Sequence, residues 1–245
     1  MNVFRIAIIH IILLLWVTTS YAVIIPKLYT EVGQTQSATS PYLKTALISD
    51  FTLASYTFQS GIVSNIVDYY PSALSSIRLL AEKEIRVKKK KINISTVYLW
   101  NKPGTMIREH NLAFLVGTKH QKLAAIIGTH FRKLYAHNNS KNAIFENWNL
   151  LYDVNYWLKA TPNVWNIGIG MSNMDYFLYN QETNPHFYLS SYYKLTNALK
   201  LSIDGRYKSA GALNGSVHYY GYYIRTGISC IINKKKSHDR KNLTK

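Results

Sequence analysis

Residues 199–208 read LKLSIDGRYK. Leu199, Leu201, Ile203, Gly205 and Tyr207 fall on one side of an extended chain, and Lys200, Ser202, Asp204, Arg206 and Lys208 on the other. Successive side chains of a strand point to opposite faces, so a strand sorts these residues cleanly. A helix would scatter the same apolar residues around its circumference. Residues 148–159 repeat the pattern, with Trp148, Leu150, Tyr152, Val154, Tyr156 and Leu158 opposed by Asn149, Asp153, Asn155 and Lys159. Leu151 and Trp157 join that second, polar face. Near the C-terminus, Tyr220, Tyr222, Ile224, Thr226, Ile228, Cys230 and Ile232 alternate with Gly221, Tyr223, Arg225, Gly227 and Ser229.

Working outward, the alternation predicts strands over 75–85, 91–100, 110–118, 122–135, 147–159, 163–172, 185–194, 199–208 and 219–232. The links between them alternate in length. Short ones fall near 119–121, 160–162 and 195–198, and long ones over 101–109, 136–146, 173–184 and 209–218. The long links are rich in Asn, Ser, Gly and Lys, which form turns and loops. Earlier in the chain the candidates are 24–33, 42–50 and 52–62, with 34–41 as a loop and Asp50 as a weak turn signal. The total is twelve strands, with ten as the alternative count.

Short turns at one end and long loops at the other are the habit of transmembrane barrels. The strands bracket the roughly 9–11 residues that a tilted strand needs to cross a bilayer. Aromatic residues gather near strand ends: Tyr98, Trp100, Trp148, Tyr156, Trp165, Tyr207, Tyr220 and Tyr222. Such rings favour the membrane interface, where an apolar body and a polar edge are both satisfied. Charges avoid the apolar faces of the clearest strands, where a midplane Lys or Arg costs about 2–4 kcal/mol. The expected fold is therefore all-β: a closed antiparallel transmembrane barrel. On this reading Asp153, Lys159, Lys200, Asp204, Arg206, Lys208 and Arg225 face the lumen, where they either plug it through mutual salt bridges or line a narrow anion-preferring pore. A soluble secreted β-sandwich or small barrel that binds an acidic glycan shows the same alternation and stands as the alternative.

The stretch FENWNLLYDVNYWLKATPNVWNIGIGMSNMDYFLYNQETNP, then YYKLTNALKLSIDGRYKSAGALNG and the terminal YYIRTGISCII, resembles the small outer-membrane β-barrel proteins of Gram-negative bacteria, most closely an uncharacterised Bacteroidetes type. The likeness covers roughly residues 90–232 and lies in style and segment order. It implies an outer-membrane barrel inserted by the barrel-assembly machinery and surrounded by outer-membrane lipid. It carries no functional residue with it. Such barrels usually finish on an aromatic residue, whereas here the last strand ends at Ile232 and a tail, NKKKSHDRKNLTK, follows.

The 245 residues carry 29 Lys+Arg against 12 Asp+Glu, a net charge of +17. A basic balance of this size suggests nucleic acid or an acidic surface as partner. Residues 1–22, MNVFRIAIIHIILLLWVTTSYA, argue against nucleic acid. One Arg, a short apolar run and the small-residue ending Ser20-Tyr21-Ala22 make a secretory signal peptide. The run is too short for the roughly 20 residues of a spanning helix. The expected organisation is a leader at 1–22, a barrel domain at 23–232 and a basic tail at 233–245. Arg86 with Lys88, Lys89, Lys90 and Lys91 forms one basic cluster, and the tail forms the other. Both are expected at the periplasmic end, as solvated segments or as contacts to anionic lipid or cell-wall polymer.

No catalytic constellation emerges. His186, His218, Ser190, Asp175 and Glu182 lie near strand ends or in a long loop, without the spacing of a nucleophile, a base and an orienting group. A lipid-modifying enzyme is thus the weakest reading. The single Cys excludes a disulfide scaffold and paired-cysteine zinc sites. No metal or cofactor is expected. His130 and Arg132 share a predicted lumen face, and Gly168 and Gly170 sit inside a strand, as glycines do at close packing or a bend.

Overall fold

Chain neighbours pair in sequence until the last strand meets the first. In the computed structural model the strands are β1 (Val23–Thr35), β2 (Tyr42–Leu53), β3 (Tyr56–Val67), β4 (Ser72–Val87), β5 (Lys90–Asn101) and β6 (Ile107–His120). They continue as β7 (Leu123–Asn138), β8 (Lys141–Trp157), β9 (Trp165–Ser172), β10 (His186–Lys194), β11 (Leu199–Lys208) and β12 (Gly221–Cys230). All pairings are antiparallel, and β12 returns to β1 with Lys27 opposite Ser229 through Thr35 opposite Gly221. A two-residue β13 (Ile232–Asn233) extends the seam against Val23 and Ile24. The protein is a closed twelve-stranded barrel, the all-β fold that the alternation predicts, and it makes one closed sheet where a sandwich would need two.

The structure describes residues 23–35, 41–67, 72–87, 90–102, 106–138, 141–159, 164–174, 185–208 and 221–233. The leader at 1–22, Tyr220 and the tail beyond residue 233 lie outside the described residues.

Most strands run a few residues beyond the expected bounds, and two differences are larger. The second strand runs on past Asp50 to Leu53, and the turn falls at Ala54–Ser55. Ala54 holds a left-handed backbone, φ 54°, the geometry that a two-residue hairpin requires. Nothing in its residue type announces this, because Gly, Asn or Asp usually fills such a position. The second difference is at 136–146, expected as a loop. There β7 and β8 pair out to Asn138 opposite Lys141. The Asn-rich composition suits a hairpin that runs beyond the bilayer: strands of 16 and 17 residues exceed what crossing needs.

The two ends of the barrel are unequal. Both termini of the sheet lie at one rim, the terminal rim, together with the tight turns at 54–55 and 121–122. The opposite, loop rim carries the connections at 173–185 and 209–220. The turn between β4 and β5 also lies at the terminal rim, so the cluster at 86–91 and the chain leaving Asn233 emerge at the same end.

The outward face is apolar on every strand. Leu28, Leu47, Ile62, Ile94, Ile127, Leu150, Ile169, Ile203 and Ile224 are all exposed. An exterior of this kind far exceeds the apolar patches that a soluble monomer tolerates. Hydrocarbon is the solvent that suits it.

Candidate functional site

In a barrel with no bound group among its described residues, the lumen is where side chains converge. Alternation aims every second residue inward, and the inward set here is both polar and large. Of the eight described carboxylates, only Glu146 holds an outward position.

Three buried polar groups occupy the loop-rim half. At the seam, Arg225 donates from Nε (2.9 Å) and Nη2 (2.6 Å) to Glu31 Oε2, and the Tyr42 hydroxyl donates to Oε1 at 2.9 Å. On β6 and β7, Arg132 donates from Nε to Glu109 Oε1 at 3.1 Å, and Asn111 Oδ1 lies 3.1 Å from His130 Nε2. On β8 to β11, the Tyr188 hydroxyl bridges both oxygens of Asp153 at 3.0 and 3.1 Å. Arg206 Nη1 donates to His186 Nε2 at 2.7 Å, so that nitrogen is the acceptor, because a guanidinium only donates. These groups are shielded from water: Glu109 is 0% exposed, His130 and His186 1%. Buried charge of this kind is tolerated only when paired and hydrogen-bonded.

Apolar side chains fill the space between the walls. Val97, Ala113, Leu115 and Leu151 point inward from β5, β6 and β8 and meet Met174. Met174 belongs to the segment after β9, which turns into the lumen. Ser172 Oγ accepts from Met174 N at 2.9 Å, and Arg206 Nη1 donates to the Met174 carbonyl at 3.3 Å. A second cluster, Ala46, Ile48 and Val63 with Tyr29, fills the β1–β3 side. Two inward glycines make room for rings. Gly168 lies beneath Trp157 and Gly170 beneath Tyr188, and a Cβ at either would collide with them. This close packing is the reason for the NIGIG glycines.

Nearer the terminal rim the lumen is wetter. Lys27 pairs with Asp50 at 2.5 Å, their side chains 22% and 13% exposed, and Gln59 donates to Asp50 Oδ1 at 2.6 Å. Lys200 lies 4.2 Å from the Tyr192 ring, which in turn meets Trp157.

Of the seven charges expected in the lumen, Asp153, Lys200, Asp204, Arg206 and Arg225 hold inward positions. Lys208 has an inward register on β11, and its side chain lies outside the described residues. Lys159 departs from expectation. β8 ends at Trp157, and the Lys159 ammonium sits 3.6 Å over the ring of Trp165 at the terminal rim. Alternation stops applying where the strand stops.

The aromatic residues sort into two levels. Tyr98, Trp100, Trp148, Tyr207 and Tyr222 lie outward toward the loop rim, and Tyr156 and Trp165 outward toward the terminal rim. Trp148 and Tyr156 are separated along β8 by about 27 Å, or about 20 Å along the barrel axis after strand tilt, close to the apolar band of membrane barrels. Beyond Trp148 the exterior carries its first ion pair: Glu146 pairs with Lys133 at 2.6 Å, next to the exposed Ile144. Glu31, Glu109, Lys27 and Asp50 also hold inward positions, and the sequence reading did not name them. Their parity on β1, β2 and β6 marks them in the same way that parity marks Arg132 beside His130 on β7.

The sequence matches no known family and no curated protein. By structure, the chain is similar to the NanC porin, with a TM-score of 0.54, 10% identity, 83% of this chain and 98% of that chain covered. Weaker likenesses join it to Omp33 of Acinetobacter baumannii (TM-score 0.48, 10% identity, 86% and 98% covered) and to outer membrane phospholipase A of Escherichia coli (TM-score 0.45, 9% identity, 84% and 92% covered). At such identities the first likeness shows the fold alone.

Proposed function

We propose that the chain is an integral outer-membrane β-barrel whose lumen is a plugged pore: closed by side chains in its loop-rim half and open to water near the terminal rim. One observation carries this reading. Lumen-facing Glu109, His130, His186 and Arg225 are each at most 2% exposed, whereas an open channel would leave them wet. Twelve strands stand between the side-chain-filled eight-stranded barrels and the open porins, so filling depends on side-chain volume. Tyr, Trp and Met supply that volume here. The barrel fold shared with the NanC porin supports a membrane-spanning wall, and the filled lumen supports a plugged one. Export through a cleaved leader at 1–22 and insertion by the barrel-assembly machinery complete the reading, with outer-membrane lipid as the surrounding partner and no nucleic acid.

A lipid-modifying enzyme is not favoured. Ser172 stands opposite His186, but its hydroxyl lies against the Tyr152 and Met174 carbonyls (3.1 and 3.4 Å) and the Asp153 carboxylate, and His186 Nε2 already accepts from Arg206. A nucleophile needs that hydroxyl aimed at a base.

Planar-bilayer recording on refolded, heat-modifiable protein tests the proposal. The expected result is the absence of a steady current. A steady ohmic conductance would overturn the plugged lumen, and recovery in the soluble fraction without detergent would overturn the membrane reading.

A further inference from the structure

One part of the exterior departs from the smooth convex wall. A groove of about 900 Å³ crosses the outer face of β8 to β12. The register sets its course: Tyr156 opposes Ile169, Ile169 opposes Leu189, Leu189 opposes Gly205 and Gly205 opposes Ile224. Gly205 is the floor. A Cβ placed there would meet no atom within 4 Å, so no neighbouring side chain covers this position. Tyr207 and Tyr222, paired with each other, wall the groove on the loop-rim side. From β8 to β12 the groove spans four strand spacings, about 19 Å.

Tyr156 belongs to this groove and also to a cluster of cations at the terminal rim. The Lys122 ammonium lies 5.9 Å from the centre of its ring. Lys122 O accepts from Trp157 N at 2.8 Å, which fixes that lysine's backbone beside β8. Lys159 lies 3.6 Å over the ring of Trp165, which is exposed on the outer face. The one outward carboxylate among the described residues, Glu146, is near the loop rim on the far side of Trp148. Nothing acidic among the described outward residues therefore offsets these lysines, at the depth where aromatic rings mark the interface.

An apolar slot that begins at uncompensated cations at headgroup level matches one kind of molecule. We propose that this is a binding site for an anionic glycerophospholipid of the leaflet at the terminal rim. Its phosphate rests on Lys122 and Lys159, and one acyl chain lies along the groove over Gly205. A second copy of the chain fits less well, because two barrels in one membrane would bring the same lysines to the same depth. The inference rests on the membrane-embedded reading above and adds a specific lipid to it.

Native mass spectrometry tests it on the refolded full barrel in detergent micelles containing either phosphatidylglycerol or phosphatidylcholine. The expected result is one retained phosphatidylglycerol and no retained phosphatidylcholine. Lys122→Gln with Lys159→Gln should weaken retention about fivefold per lysine, and Gly205→Leu should abolish it by filling the floor. Heat-modifiable migration is read on every sample: its loss in the wild type is the failure of the barrel reading, and intact barrels without the adduct are the failure of this inference alone. Equal retention of both lipids, undiminished retention by the lysine double variant, or a dimer mass in place of the lipid adduct would each overturn the site.

Discussion

Glu31 and Arg225 stand directly opposite each other across the seam that closes the barrel, 194 residues apart in the chain and joined by a two-pronged ion pair with both side chains nearly waterless. Removing Arg225 takes its two-pronged partner from the buried Glu31 carboxylate, and breaking a buried pair in this way costs about 3–5 kcal/mol. Arg225→Met alone should therefore lower the barrel's unfolding free energy by that amount in urea titrations in lipid vesicles. Pairing it with Glu31→Gln should recover much of the loss. Equal destabilisation by the single and double variants would show that the pair does not act as a unit.

Met174, two residues after β9, packs among the inward side chains of β5, β6 and β8. Met174→Ala should leave a cavity worth about 2–5 kcal/mol. In planar bilayers it should give measurable ion current where the wild type gives none. A silent variant would place the plug elsewhere in the lumen.

The glycines of the β9–β11 wall separate into two kinds. A Cβ at Gly170 would fall 2.5 Å from the Tyr188 hydroxyl and 2.7 Å from the Val154 carbonyl oxygen. Gly170→Ala should displace Tyr188 from Asp153 and cost about 1–3 kcal/mol, the range for overpacking. Gly205→Ala, with open space around it, should leave the heat-modification midpoint unchanged.

Ala54 carries the β2–β3 turn in a left-handed backbone. That region costs an L-residue about 1–2 kcal/mol and glycine almost nothing. Ala54→Gly should raise stability, and Ala54→Val should lower it, by chemical unfolding. The opposite order would mean that the turn's backbone is not what limits it.

Leu47 lies at the middle of β2 on the outer face, half exposed. Leu47→Arg should cost about 2–4 kcal/mol if that face meets hydrocarbon. Little or no cost would mean that it meets water.

Much of the fold was legible because alternation is a local property. LKLSIDGRYK reports its own inward and outward faces whatever lies beside it, and the strand register gives Asp153, Asp204, Arg206 and Arg225 inward positions. Reading failed where local rules lapse. Lys159 lies past the end of its strand, Ala54 turns without a turn former, and an Asn-rich stretch at 136–146 pairs because its partner strand satisfies the backbone.

The sequence by itself thus determined that the chain is a run of strands with one apolar and one polar face, and hence where lipid and lumen lie. The tertiary structure alone decided which charges meet and whether the lumen is open. Closure brings Glu31 to Arg225, and the turn after Ser172 carries Met174 against Leu115 across the lumen. Such contacts depend on strand register and on how side-chain volume fills a closed cylinder, and neither quantity is encoded in the period of any single strand.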